Sequence, residues 1–145
     1  MVERTRSTLI EGDFDDYADS FTYPHVIITT EKTIKIEDLD DMKRLYDNIR
    51  VSYEKMGLTH ASRQCLAAAF GVNGILQVTH VNHLMSGTRR LNEPIPVYSN
   101  LVEGVDGNWR IFKAEYAIDK KLPFGAALEV GQNSNPLRFI ENAKN

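Results

Sequence analysis

Few side chains in this sequence are set in a pattern that suggests chemistry, and His80 stands out among them. The stretch Thr59–Asp119 has no helical period and reads as four long strands, with turn signals at Gly71–Gly74, Ser86–Glu93 and Asp106–Gly107. With Gly71–Gly74 as a hairpin turn, one face of the first two strands holds Arg63, Cys65, Ala67, Ala69, Leu76, Val78, His80, Asn82 and Leu84. On that face His80, flanked by Arg63 and Asn82, is a polar island among small and apolar residues. An imidazole, whose ordinary pKa is about 6.5, suits proton transfer near neutral pH. The competing reading is a hydrogen-bonded structural histidine on a partly open face.

Other chemistries are excluded by geometry or by missing partners. His80 and His83 lie three apart, so on a strand they point to opposite faces and cannot chelate one ion. His60 shares the His83 face, again with no carboxylates at ligand spacing, and neither a metal nor another cofactor is expected. No nucleophile elbow, Ser-His-Asp spacing, phosphate-cradling loop or dinucleotide fingerprint occurs. Glu115 and Lys113 share a strand face and read as a surface ion pair, which leaves no carboxylate dyad for the interior. Cys65, among alanines, reads as an inert buried thiol.

The elements that must position His80 follow from hydrophobic period. Phe14, Tyr17, Ala18 and Phe21 mark one face of a short helix over Asp13–Phe21, stopped by Pro24. His25–Thr30 and Thr33–Ile36 read as a small hairpin about the polar turn Thr30–Lys32. Asp38–Met56 is an amphipathic helix whose stripe is Leu39, Met42, Tyr46, Ile49, Tyr53 and Met56, capped by Asp38 and ended by Gly57. The Asp106–Gly107 turn sets Glu103 opposite Arg110, Leu101 opposite Phe112, Ser99 opposite Ala114 and Val97 opposite Tyr116. A four-stranded antiparallel meander with one apolar face needs a cover, and the two helices supply it. The expected fold class is α+β: a cystatin-like curved antiparallel sheet wrapped around the long helix as a cone.

This order of elements, together with the closing run Asp106, Gly107, Asn108, Trp109, Arg110, Ile111 and Phe112, resembles the SnoaL-like, nuclear transport factor-like cone fold. Ketosteroid isomerase and scytalone dehydratase share that fold. The resemblance covers the core and rests on order and pattern; the first helix here is shorter than in many of those proteins. It implies a pocket between the concave sheet and the helices that encloses an apolar small molecule. In the isomerase-like members a tyrosine of the N-terminal helices donates to a developing oxyanion while a carboxylate moves the proton. Tyr17, on the apolar face of the first helix, is the candidate for the tyrosine's place, the competing reading being a buried tyrosine that packs its ring and finds one partner for its hydroxyl; the carboxylate has no counterpart. The candidate catalytic residues are therefore His80 and Tyr17, with Arg63, Asn82, Tyr46 and His25 as candidate ligand contacts; His25 is placed near the mouth, where exposure is expected. The activity implied is of isomerase, dehydratase or hydrolase type on an apolar, ring-containing substrate. The alternatives are a non-catalytic ligand-binding module and a structural dimerisation module.

Length and composition bound the rest. With 145 residues, 42% hydrophobic and 26% charged, the chain reads as one domain spanning 1–145, with a core at about 13–119. An N-terminal arm (1–12) and a Gly- and Asn-rich C-terminal extension (120–145) flank that core. The net charge of -3 argues against a nucleic-acid partner, and no apolar run is long enough to span a membrane. A soluble, cytoplasmic protein is expected. Leu66, Ala68, Phe70, Ile75 and Val81, on the sheet face opposite His80, are too apolar for water, which predicts a homodimer through the sheets. The extension, carrying Leu122, Phe124, Leu128, Leu137, Phe139 and Ile140, is expected to pack over the cone or over the neighbouring copy.

Overall fold

The computed structural model describes residue 9, residues 11–116 and the backbone of residues 138–140. The C-terminal extension, apart from that last strand, and most of the N-terminal arm lie outside the described residues. The first described helix, α1 (Phe14–Ala18), is capped by Asp13, whose side chain accepts from the Asp16 amide at 3.0 Å. It stops short of Phe21, which instead begins strand β1 (Phe21–Ile28) and takes Pro24 inside that strand. Sheet pairing decides this: the Ser20 carbonyl accepts from the Ile111 amide at 2.9 Å, and Phe21 lies beside Ile111.

Strand β2 (Thr33–Ile36) pairs with β1 as an antiparallel hairpin, His25 opposite Ile36. Helix α2 (Leu39–Lys55) follows, its Asp38 cap accepting from the Asp41 amide at 2.9 Å and Gly57 taking the left-handed conformation just past its end. Asp41 is itself buried; it pairs with Arg44 and accepts from the Glu37 amide at 3.0 Å. The buried face of α2 is Met42, Leu45, Tyr46 and Ile49. Leu39, expected in that stripe, is exposed.

The second half forms β3 (His60–Phe70), β4 (Leu76–Ser86), the short β5 (Arg89–Arg90), β6 (Pro96–Glu103) and β7 (Trp109–Tyr116). With β8 (Arg138–Ile140), these give an eight-stranded sheet in the order β3-β4-β6-β7-β1-β2-β8, β5 pairing off this path with β4. The meander β3-β4-β6-β7 is antiparallel, as expected. The β1–β2 hairpin is not a separate piece but continues the same sheet, β1 lying parallel to β7. The sheet is therefore mixed, and α2 packs on it through Ile27, Ile34, Ile36, Val78, Leu101 and Ile111.

Two bulges alter the expected faces. In β7 the register shifts at Phe112, so Val97 faces Tyr116 and Ser99 faces Ala114 as expected, but Leu101 faces Ile111 and Glu103 faces Trp109. Arg110, released from Glu103, donates to both carboxylate oxygens of Asp106 (3.0 and 2.7 Å) and to the Asp19 carbonyl at 2.9 Å, tying the β6–β7 turn to the end of α1. In β3 the shift falls at Leu66. Beyond it, Ala68 and Phe70 pair with Val78 and Leu76 and join the His80 side, while Ala67 and Ala69 move to the opposite side. That is the reverse of the unbulged reading.

Candidate functional site

The cone leaves a cavity of about 30 Å³ between α1, α2 and the sheet. That volume accommodates one or two water molecules. Its apolar wall includes Phe21, Ile27, Met42, Leu45, Ile111 and Ala114; its polar wall is Tyr17, His25, Arg63, His80, Ser99 and Tyr116. No Asp or Glu stands among these described lining residues.

His80 reaches the cavity because β4 alternates, sending Val78, His80 and Leu84 inward. It is 3% exposed, and among the described residues neither ring nitrogen has a hydrogen-bond partner. Burial first, and the nearby Arg63 charge second, push its pKa down to about 4, so the ring is neutral at pH 7. Arg63, on β3, is oriented by a 2.8 Å bond from its Nε to the Asn82 side-chain oxygen. Asn82 therefore acts by holding Arg63; it is not among the described lining residues.

His25 is not exposed at the mouth but is 2% exposed on the cavity wall. The parallel β1–β7 pairing draws it inward. There its ring meets Phe21 edge-on at 4.7 Å, and Nδ1 has no partner among the described residues. Burial outweighs the upward pull of the Ile111 and Phe112 backbone and pushes its pKa down to about 4.

Tyr17, the buried residue of α1 that faces the cavity, packs its ring between Phe21 (5.0 Å) and Tyr46 (5.1 Å). Desolvation drives its phenol well above the ordinary tyrosine value, with the Tyr116 phenol adding to that and the Arg63 charge opposing it. It stays protonated, hence a donor. Tyr46 sits behind Tyr17 and does not line the cavity.

Cys65 is exposed on the edge strand, not buried. His83 points outward, to Gln64 and Arg90, and His60 to Thr59. Lys113 and Glu115 pair at 3.5 Å. Among the described residues no cluster of three or more His, Cys, Asp or Glu could hold a metal.

With this geometry in view, the comparisons decide the fold. No family model matches the sequence, and no curated protein matches it. An NTF2-like design superposes with a TM-score of 0.61 at 17% identity, covering 80% of this chain and 92% of the design. A domain of unknown function with a cystatin-like fold from Nostoc punctiforme gives 0.62 at 12%, covering 81% and 72%. A Catenulispora acidiphila protein in complex with S-DNPA gives 0.58 at 19%, covering 79% and 86%. The fold is the nuclear transport factor-like cone. At these identities the likeness is one of fold alone.

Within the cone, Ser99 and Tyr116 are lining residues that the sequence reading did not single out. Both carry the signal that drew attention to His80. Ser99 interrupts the buried row Val97, Ser99, Leu101, and Tyr116 continues the row Ala114, Tyr116. A larger groove of about 490 Å³ runs along α2 past Leu9, Asp47, Arg50, Val51, Tyr53, Glu54 and Leu58. It is open to solvent and contains none of the candidate residues. No described helix is long and apolar enough to cross a membrane.

Proposed function

We propose that this chain binds a small, largely apolar, ring-bearing molecule whose polar head enters the cone and whose ring lies outside the small cavity, with His80 and Tyr17 as its polar anchors. The observation that carries the reading is His80, a buried imidazole with two unpartnered nitrogens on a cavity wall. A buried polar group left without a partner costs roughly 1–3 kcal/mol, and such costs are retained where a ligand repays them. That one protein of the same fold is held in complex with S-DNPA adds support. Arg63, set by Asn82, and His25 complete the polar wall, and Tyr46 backs Tyr17.

The finer reading is an acid–base reaction of isomerase, dehydratase or hydrolase type. Neutral His80 offers a lone pair to take up a proton, and protonated Tyr17 offers an O–H to the ligand's oxygen. The absence of a carboxylate among the described lining residues favours a second reading, a non-catalytic binder that uses the same groups. In either case the proposed partner is a second copy of the chain, seated on the sheet near the exposed Leu66, Phe70 and Val72.

The test is a thermal-shift screen of lactones, steroids and small aromatic ketones, followed by calorimetric titration of the hits. Binding to the wild type that weakens in His80→Ala is expected. Equal binding by His80→Ala, or no binding by any compound, overturns the reading. Deuterium incorporation from D2O into a bound hit separates the enzyme from the binder.

A further inference from the structure

Among the described residues three ring nitrogens on the cavity wall lack partners: Nδ1 and Nε2 of His80, and Nδ1 of His25. The chemistry of His80 specifies what must meet it. A neutral imidazole has one N–H and one lone pair. The lone pair is an acceptor, and only an O–H or N–H can satisfy it. A ketone, ether or ester oxygen does not.

Size narrows the choice. About 30 Å³ takes a hydroxyl head but not a ring. The neighbouring strand is small and open: Cys65 is directly across from His80 and Ala68 across from Val78, both outside the cavity lining and exposed on His80's side of the sheet. These two small side chains make a shelf that leads away from the imidazole.

We propose that the ligand's head is a neutral hydroxyl, donating to the bare imidazole nitrogen of His80 and accepting from Tyr17, with its ring on the Cys65–Ala68 shelf. This rests on the small-molecule reading above and narrows it to alcohols, phenols and enols.

Cys65 is the chain's single cysteine and is exposed, so its rate of reaction with Ellman's reagent reports whether the shelf is occupied. Two matched pairs serve as probes: cyclohexanol with cyclohexanone, and phenol with anisole. The hydroxyl compounds should protect Cys65 with dissociation constants on the order of tenfold below those of their partners, the usual effect of one well-made hydrogen bond. In His80→Ala the ratio within each pair should fall toward one. In Tyr17→Phe, which removes a donor to the oxygen of every probe, binding should weaken throughout and the ratio persist. Equal protection by the ketone and the ether overturns the hydroxyl assignment and leaves the small-molecule reading standing. Protection by none of the four, up to their solubility limits, means that the hollow holds water only and overturns both.

Discussion

The two ends of the sheet are built from equally apolar sequence and have opposite fates. At the β1–β2 end, Ile27, Ile34 and Ile36 are almost wholly buried beneath Met42, Leu45, Tyr46 and Ile49 of α2. At the β3 end, Leu66 is 52% and Phe70 71% exposed, and from Gln64 to Phe70 both sides of the strand meet solvent. The difference is cover, not composition. An apolar strand states what could be buried; only the packing of another element decides what is. His80 lies on β4, one strand in from the open edge, where the covered core gives way to the shelf.

Acid tests the packed side most severely. His25 and His80 titrate near 6.5 when unfolded and at about 4 in the fold. Between those values the unfolded chain binds protons that the folded chain refuses. The stabilisation is therefore complete above about pH 6.5 and is lost as pH falls toward 4. From pH 7.5 to 5 each histidine should cost about 2 kcal/mol, or about 4 kcal/mol together, read as a drop in the urea midpoint. His80→Ala should remove roughly half of that pH dependence, because His25 remains. A midpoint independent of pH over this range would mean that the imidazoles are hydrated and that the hollow is open to solvent.

Truncation makes the comparison direct. Ile36→Ala removes a 0% exposed side chain and should destabilise by about 3 kcal/mol in urea denaturation. Phe70→Ala deletes a larger group from the open end, where the ring meets Trp109 at 6.0 Å, and should cost no more than about 1 kcal/mol. Similar losses at the two positions would show that the β3 end is covered in solution.

What the sequence made legible follows the same divide. Helix α2 and the meander were readable because capping, period and turn signals are local: Asp38 caps, Gly57 ends the helix, and Asp106–Gly107 marks the last turn. The inward direction of His80 and Tyr17 was readable for the same reason, from alternation and helical spacing. Long-range pairing was not. The parallel β1–β7 contact, which buries His25 and takes Phe21 out of the helix, joins segments about ninety residues apart and leaves no local trace. Nor did the bulges: one extra residue at Leu66 reverses the faces of Ala67 to Phe70, and alternation alone cannot locate it. Cys65 was misplaced for a further reason, since nothing in its neighbourhood tells an edge strand from a central one.

Replacing the boundary residue should separate stability from binding. His80→Leu fills a comparable volume and removes both unmet nitrogens of His80, so stability at pH 7.5 should rise by about 1 kcal/mol while the preference for hydroxyl probes at Cys65 disappears. A variant less stable than the wild type would mean that His80 is held by bonds worth more than its desolvation costs, and the imidazole would then be structural.

The smallest change in stability should come from the open end, and there it should alter assembly instead. Leu66→Lys places a charge on an exposed position of the edge strand, so the urea midpoint should move by no more than about 0.5 kcal/mol in equivalent stability. If a second copy covers this end, the two-fold that relates the copies puts one such lysine from each copy into an apolar contact, where its charge is stripped of water. Sedimentation velocity at micromolar concentration should therefore show two copies for the wild type and one for Leu66→Lys. A wild type that sediments as a single copy removes the second chain from this surface. The exposed Leu66, Phe70 and Val72 would then be free to border the ligand shelf, and the open end of the sheet would belong to the binding site rather than to an interface.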